Sequence, residues 1–291
     1  MAAIAGCGGG DDGAGQRTSA EGGPIAVGDP GPIHVHGLGV NPADGALFIA
    51  THTGLFRAPA GVSQSARVAD RYQDTMGFTV VGPDQFLGSG HPDTREDLPP
   101  FLGLIRSDDA GEAWDPVSLL GDADFHVLEA SGETVYGYGS DFKTREQQLL
   151  ASTDGGENWD KRPLPEPPSE DPIAESLRSL AIDPSDPSTV VASGQEALWA
   201  SDDQARSWSF LTAGNGLVAW AASGELFLVD AEGAVESSGN RGQTWETTGG
   251  SVGAEPAAFE AAGDSLYVAL HDGTVKQSTD GGVSWSVRST P

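Results

Sequence analysis

Apolar residues along this chain fall in short runs, each broken by glycine, aspartate, asparagine or proline. The spacing of an amphipathic helix does not persist anywhere. Runs of this length, bounded by turn formers, predict an all-β chain. Six of them match one another: residues 46–52, 85–91, 134–140, 189–195, 225–231 and 265–271.

A second pattern runs in step with the first. The motif Ser-x-Asp-x-Gly-x-x-Trp stands at residues 107–114, 152–159 and 278–285. Altered copies stand at 201–208, with Ala205 in the glycine position, and at 238–245, with Asn240 for the aspartate. Copies recur about every 40 residues, the length of a four-stranded propeller blade. Serine and aspartate side chains hold a tight turn through nearby backbone N–H groups. Glycine permits the turn's positive φ, and the tryptophan fills apolar space beside the hairpin. Asp109, Asp154 and Asp280, with Trp114, Trp159 and Trp285, are therefore expected to be structural. The fold expected is all-β, a β-propeller of about six four-stranded blades. Its blades begin near residues 34, 75, 125, 177, 216 and 256. The first of these blades has no motif, a seventh blade is left open, and residues 24–27 are a candidate edge strand.

Composition narrows the setting. A net charge of −28 repels phosphate backbones, so nucleic acid is excluded as a partner. The single cysteine, Cys7, precludes an intrachain disulfide. It follows Ile4-Ala5-Gly6 and precedes a Gly/Asp-rich run. That context resembles a bacterial lipobox, which implies lipidation of Cys7. Residues 1–7 are then the remnant of a lipoprotein signal, 8–30 a flexible tether and 31–291 a single propeller domain. No apolar run is long enough to cross a bilayer. Membrane contact is expected only through the lipid, with the protein extracytoplasmic.

All six histidines map to one face of this register. His34 and His36 begin the first strand of blade one and His126 that of blade three, while His52, His91 and His271 end second strands. First strands line a propeller's channel. Aligned on Leu38, Phe78, Leu128, Leu180, Trp220 and Phe259, the position two residues earlier reads His36, Met76, His126, Arg178, Val218 and Ala257. Imidazole with thioether suits copper, and imidazole alone also suits zinc. The metal candidates are thus His34, His36, Met76, His126, His52, His91 and His271. Asp74 and Asp124 are further ligands or orienting partners, and Arg178 is a ligand-face cation. A polar mouth without metal, or histidines acting as acid/base groups, are the other readings of the same residues.

The motif copies resemble the Asp-box (BNR) repeat of sialidases and related propellers. Together with His34-Val35-His36-Gly37-Leu38-Gly39, Met76-Gly77-Phe78, Ser89-Gly90-His91-Pro92 and Asp124-Phe125-His126-Val127, they are similar to small bacterial lipoproteins commonly labelled sialidase-like or glycosyl hydrolase. The resemblance implies a glycan or a surface protein as partner, beside the metal ion that the histidines suggest. Sialidases use three arginines and a Tyr–Glu pair. Here the Arg motif survives only as Phe56-Arg57-Ala58-Pro59, expected on a third strand, and only Arg178 takes a channel slot. Arg71, Arg95 and Arg145 are expected in or near loops on the ligand face, with Tyr72 and Tyr138 near the site. Asp93, Asp141, Glu175, Asp230 and Asp272 join Asp74 and Asp124 as acids able to serve a two-carboxylate mechanism. Three functions follow: metal binding, glycoside hydrolysis and protein scaffolding. Catalytic residues stay unassigned.

Overall fold

The computed structural model describes residues 31–166, 168 and 177–291. Cys7, the tether, residues 24–27 and Glu175 fall outside them. The described chain forms six antiparallel sheets of four strands, with consecutive strands adjacent in every sheet. It is a six-bladed β-propeller, and there is no helix among the described residues. The inner strands are Val35–Val40, Asp74–Gly82, Ala123–Ser131, Leu177–Ile182, Leu217–Trp220 and Pro256–Ala262.

The core is not one cluster but six, one at each junction between neighbouring blades. Strand residues alternate faces, so each blade offers apolar side chains to both neighbours. Phe48 of blade one meets Phe86 of blade two with ring centroids 4.6 Å apart, an edge-on contact between fully buried rings. Trp114, Trp159, Trp208, Trp245 and Trp285 each pack into the junction preceding their own blade. The junction of blades six and one has no such tryptophan and is built on Leu38, Ile49, Phe56 and Tyr267. There the chain's end acts as a clasp. Ser289 Oγ and the Thr290 amide both donate to the Ser63 carbonyl at 3.0 Å, and Arg288 donates to the carbonyls of Ala58 and Val62.

The repeated turns share one hydrogen-bond pattern. Ser107 Oγ donates to Asp109 Oδ1 at 2.9 Å, the Gly111 amide to Ser107 Oγ at 2.8 Å, and the Ala113 amide to Asp109 Oδ1 at 2.9 Å. The same set recurs at Ser152, Ser201, Ser238 and Ser278, with Asn240 as the acceptor in the Ser238 turn. Hydrogen bonds from Asn158, Ser207 and Ser284 respectively hold Asp154, Asp203 and Asp280 near a pKa of about 2. At Gly156 the backbone has φ +90°, and an added Cβ would overlap the Leu104 side chain. Gly156→Ala combines left-handed strain with overpacking and is expected to cost about 2–4 kcal/mol. Thermal unfolding would show this as a lowered Tm.

Candidate functional site

The mouth of the channel is built by bulges. In blade one, Val35 pairs with Thr51 and Gly37 with Ala50, leaving His36 as an extra residue. Met76, His126, Arg178 and Ala257 are the extra residues in blades two, three, four and six. A β-bulge breaks the ladder locally and re-aims the side chain it carries, and the same feature recurs at the slot that the apolar alternation singled out. In blades two and three a glycine opposite the bulge gives it room. A Cβ on Gly139 would overlap the Asp124 carbonyl, and one on Gly90 the Asp74 carbonyl.

Blade five departs from the expected register. Val218 pairs with Leu228 just as Leu180 pairs with Ala192. Val218, not Trp220, is therefore the anchor, and Gly216 takes the mouth slot assigned above to Val218. An aromatic residue two positions further along the same face drew the alignment off by two. Going round the mouth, the slots hold His36, Met76, His126, Arg178, Gly216 and Ala257. Four consecutive slots carry polar or sulfur-bearing side chains and the remaining two small residues.

Three histidines gather at blade one. The His36 and His52 rings lie 4.2 Å apart, edge to face, and His34 lies 5.6 Å from His52. His34 reaches this position with a left-handed backbone, φ +55°, which is uncommon for a residue with a side chain. His52 Nδ1 stands 2.9 Å from Asp74 Oδ1. A carboxylate only accepts, so Nδ1 is the donor, and in the neutral tautomer that makes this bond Nε2 carries the lone pair. Donor atoms of His36, His52 and Asp74 lie within 4.8 Å of one another.

A second group adjoins it. Asp124 is 4% exposed, and its Oδ2 accepts from His126 Nε2 at 2.9 Å while standing 3.5 Å from His91 Nε2. His91 Nδ1 donates to the Pro100 carbonyl at 2.8 Å. Asp124 Oδ1 and His36 Nε2 are buried without a hydrogen-bond partner, and buried polar atoms in that state call for an explanation. Burial drives the His36 pKa down to about 4, helped by the nearby His52, His126 and His34, so the ring is neutral at pH 7. The hydrogen bond to Asp124 raises the pKa of His126.

The remaining candidates are elsewhere or otherwise engaged. His271 is exposed just after the second strand of blade six, and among the described residues no ring contact or ion pair joins it to either group. Met76 is half-buried in its bulge slot. Asp93 accepts from the Tyr72 amide and pairs with Arg95, which holds its carboxyl far below the usual range. Asp141, Asp230 and Asp272 accept backbone amides of their own turns. Arg57 sits on a third strand and pairs with Asp44. Arg71 pairs with Glu96, and Arg145 stacks on Phe142 at 4.7 Å. Tyr138 is buried in the core, and exposed Tyr72 stacks with Arg67 and Arg95.

No family model matches the chain. No curated protein matches it either. Solved structures do. The chain is similar to a GH74 xyloglucanase from Xanthomonas campestris, with a TM-score of 0.56 and 16% identity over 88% of this chain and 45% of that one. It is also similar to a catalytically inactive virginiamycin B lyase from Staphylococcus aureus with quinupristin, TM-score 0.55, 12% identity, 89% and 85% covered. YCF48 from Cyanidioschyzon merolae gives 0.52 and 14% identity over 89% and 86%. The likeness is one of fold. The chain spans less than half the length of the xyloglucanase.

Sequence reasoning missed one feature of the channel. Glu129 and Glu260 follow the anchors Leu128 and Phe259 on the inner strands of blades three and six, which face each other across the ring. Both line a cavity of about 60 Å³ on the histidine side and a second of about 200 Å³ beyond it. Removal from bulk water raises both carboxyl pKa values, and the Glu260 charge raises that of Glu129 further. The signal was available: an acid at the same position of two otherwise apolar inner strands, three blades apart.

Proposed function

We propose that this protein is an extracytoplasmic, lipid-anchored propeller that binds a transition metal, copper or zinc, at the histidine-rich mouth of its channel. The observation that carries this reading is the convergence of His36, His52 and Asp74 donors within 4.8 Å. Zinc–nitrogen bonds are about 2.0–2.1 Å, so small side-chain movements bring these donors around one ion. Asp74 fixes the tautomer of His52, and Asp124 that of His126, as carboxylates do for ligating imidazoles. His36, neutral at pH 7, needs no deprotonation to bind. Met76 in the adjacent slot favours copper over zinc.

The likeness to xyloglucanases is one of fold; of the ligand-face acids, Asp93, Asp141, Asp230 and Asp272 are engaged in turns, which leaves Asp74 and Asp124 beside the histidines. Equilibrium dialysis against Cu(II) and Zn(II) tests the proposal. One tightly held equivalent is expected, reduced strongly by His52→Ala. Turnover of aryl glycosides by protein that retains no metal would replace this reading with hydrolysis. Cys7→Ala is expected to release the protein from the membrane fraction of its host.

A further inference from the structure

Resting on that reading, we propose that the mouth takes a second component, an oxyanion that coordinates the metal and pairs with Arg178. His36, His126 and Arg178 line the same cavity. Arg178 stands in the bulge slot of blade four, opposite His36 of blade one, and the bulge re-aims it as the others are re-aimed. Its guanidinium carries five donors, yet its one ionic partner among the described residues is Glu255, at 3.9 Å. That is beyond hydrogen-bond distance. The Arg178 side chain is 22% exposed while Glu255 is 53% exposed. A largely sheltered cation is thus left with a distant, solvated partner that an incoming anion can displace. Guanidinium matches carboxylate and phosphate geometry, and a paired, sheltered contact is stronger than one in water.

Glu129 and Glu260 line the same cavity, and their raised pKa values favour the neutral carboxyl form that an anion can approach. Gly216 and Ala257 take the slots of blades five and six, so neither slot there carries a large side chain. The cavity of about 60 Å³ holds a few water-sized groups, which suits the head of an anionic ligand. In a chain of net charge −28, an anion is drawn in only where cations are concentrated. The metal and Arg178 supply that pair of charges from opposite sides of the mouth. The ligand class is a carboxylate or phosphate oxyanion recognised through the bound ion.

The test titrates acetate and inorganic phosphate, separately, into Cu(II)-loaded protein, following the copper visible band and the heat of binding. The result expected is saturable binding of at least one anion, shifting the band, weakened at least ~10-fold by Arg178→Gln and less by Arg178→Lys. Glu255→Gln, which removes the competing carboxylate, is expected to tighten it. Preference for acetate or phosphate distinguishes the two oxyanions. Equal affinity in wild type and Arg178→Gln, or no band shift in copper-loaded protein, overturns the anion site and leaves the metal reading standing. Failure to retain copper at all overturns both, and metal analysis of each sample separates the two failures.

Discussion

Replacing His36 by alanine is expected to weaken metal binding at pH 7 at least ~100-fold, since a lost ligand costs more than a lost orienting partner. The same change should make the metal-free protein more tolerant of acid. His36 titrates at about 4 in the folded chain, against 6.5 ordinarily, because burial and the neighbouring imidazoles disfavour its charged form. Between those values the unfolded chain binds the proton and the folded chain does not. Stability attached to the neutral ring is therefore fully present above pH 6.5 and is lost as pH falls towards 4. The shift corresponds to about 3 kcal/mol. Urea unfolding of the metal-free protein should show wild type losing more stability than His36→Ala between pH 7 and pH 4. Parallel pH profiles would show that the ring is solvated in the folded state.

The second large effect lies deeper in the channel. Glu129 and Glu260 have carboxyl pKa values raised by removal from water and, for Glu129, by the charge of its opposite number. A raised carboxyl pKa means that the folded chain holds protons the unfolded chain has released. The stability involved is present below about pH 4.5 and is lost as pH rises through the folded value. Ionising the pair at alkaline pH thus costs the folded state free energy. Glu129→Gln removes one charge while keeping shape, and is expected to stabilise the protein at pH 8 and to change little at pH 4. Thermal melts at both pH values measure it. A loss of stability at pH 8 would show that the carboxylate makes a favourable contact there.

The architecture was legible because one short turn motif and one apolar run recur in step, and both have mechanical causes. Ser107, Asp109 and Gly111 close a turn, and Trp114 fills a blade junction, whatever the protein binds. The mouth slots were legible in five blades because Leu38, Phe78, Leu128, Leu180 and Phe259 all face the preceding junction. They failed in blade five, where Val218 and Trp220 lie on the same face and the larger residue suggested the wrong anchor. The bulges left no trace in the alternation, since an extra residue near a strand's start reads as part of the loop. What His52 bonds to was not legible either: Asp74 lies on the next blade, and only closure of the ring brings them together. His271 shares the strand-end position of His52 and His91 but lies exposed and apart, so position along a strand does not by itself gather side chains.

Anomalous diffraction from crystals of the copper- or zinc-loaded protein tests the account where it is most exposed. It predicts a single strong peak at the channel mouth, within about 2.0–2.1 Å of a nitrogen from His36 and one from His52. A mouth without a peak, or an ion held only elsewhere on the acidic surface, would contradict it.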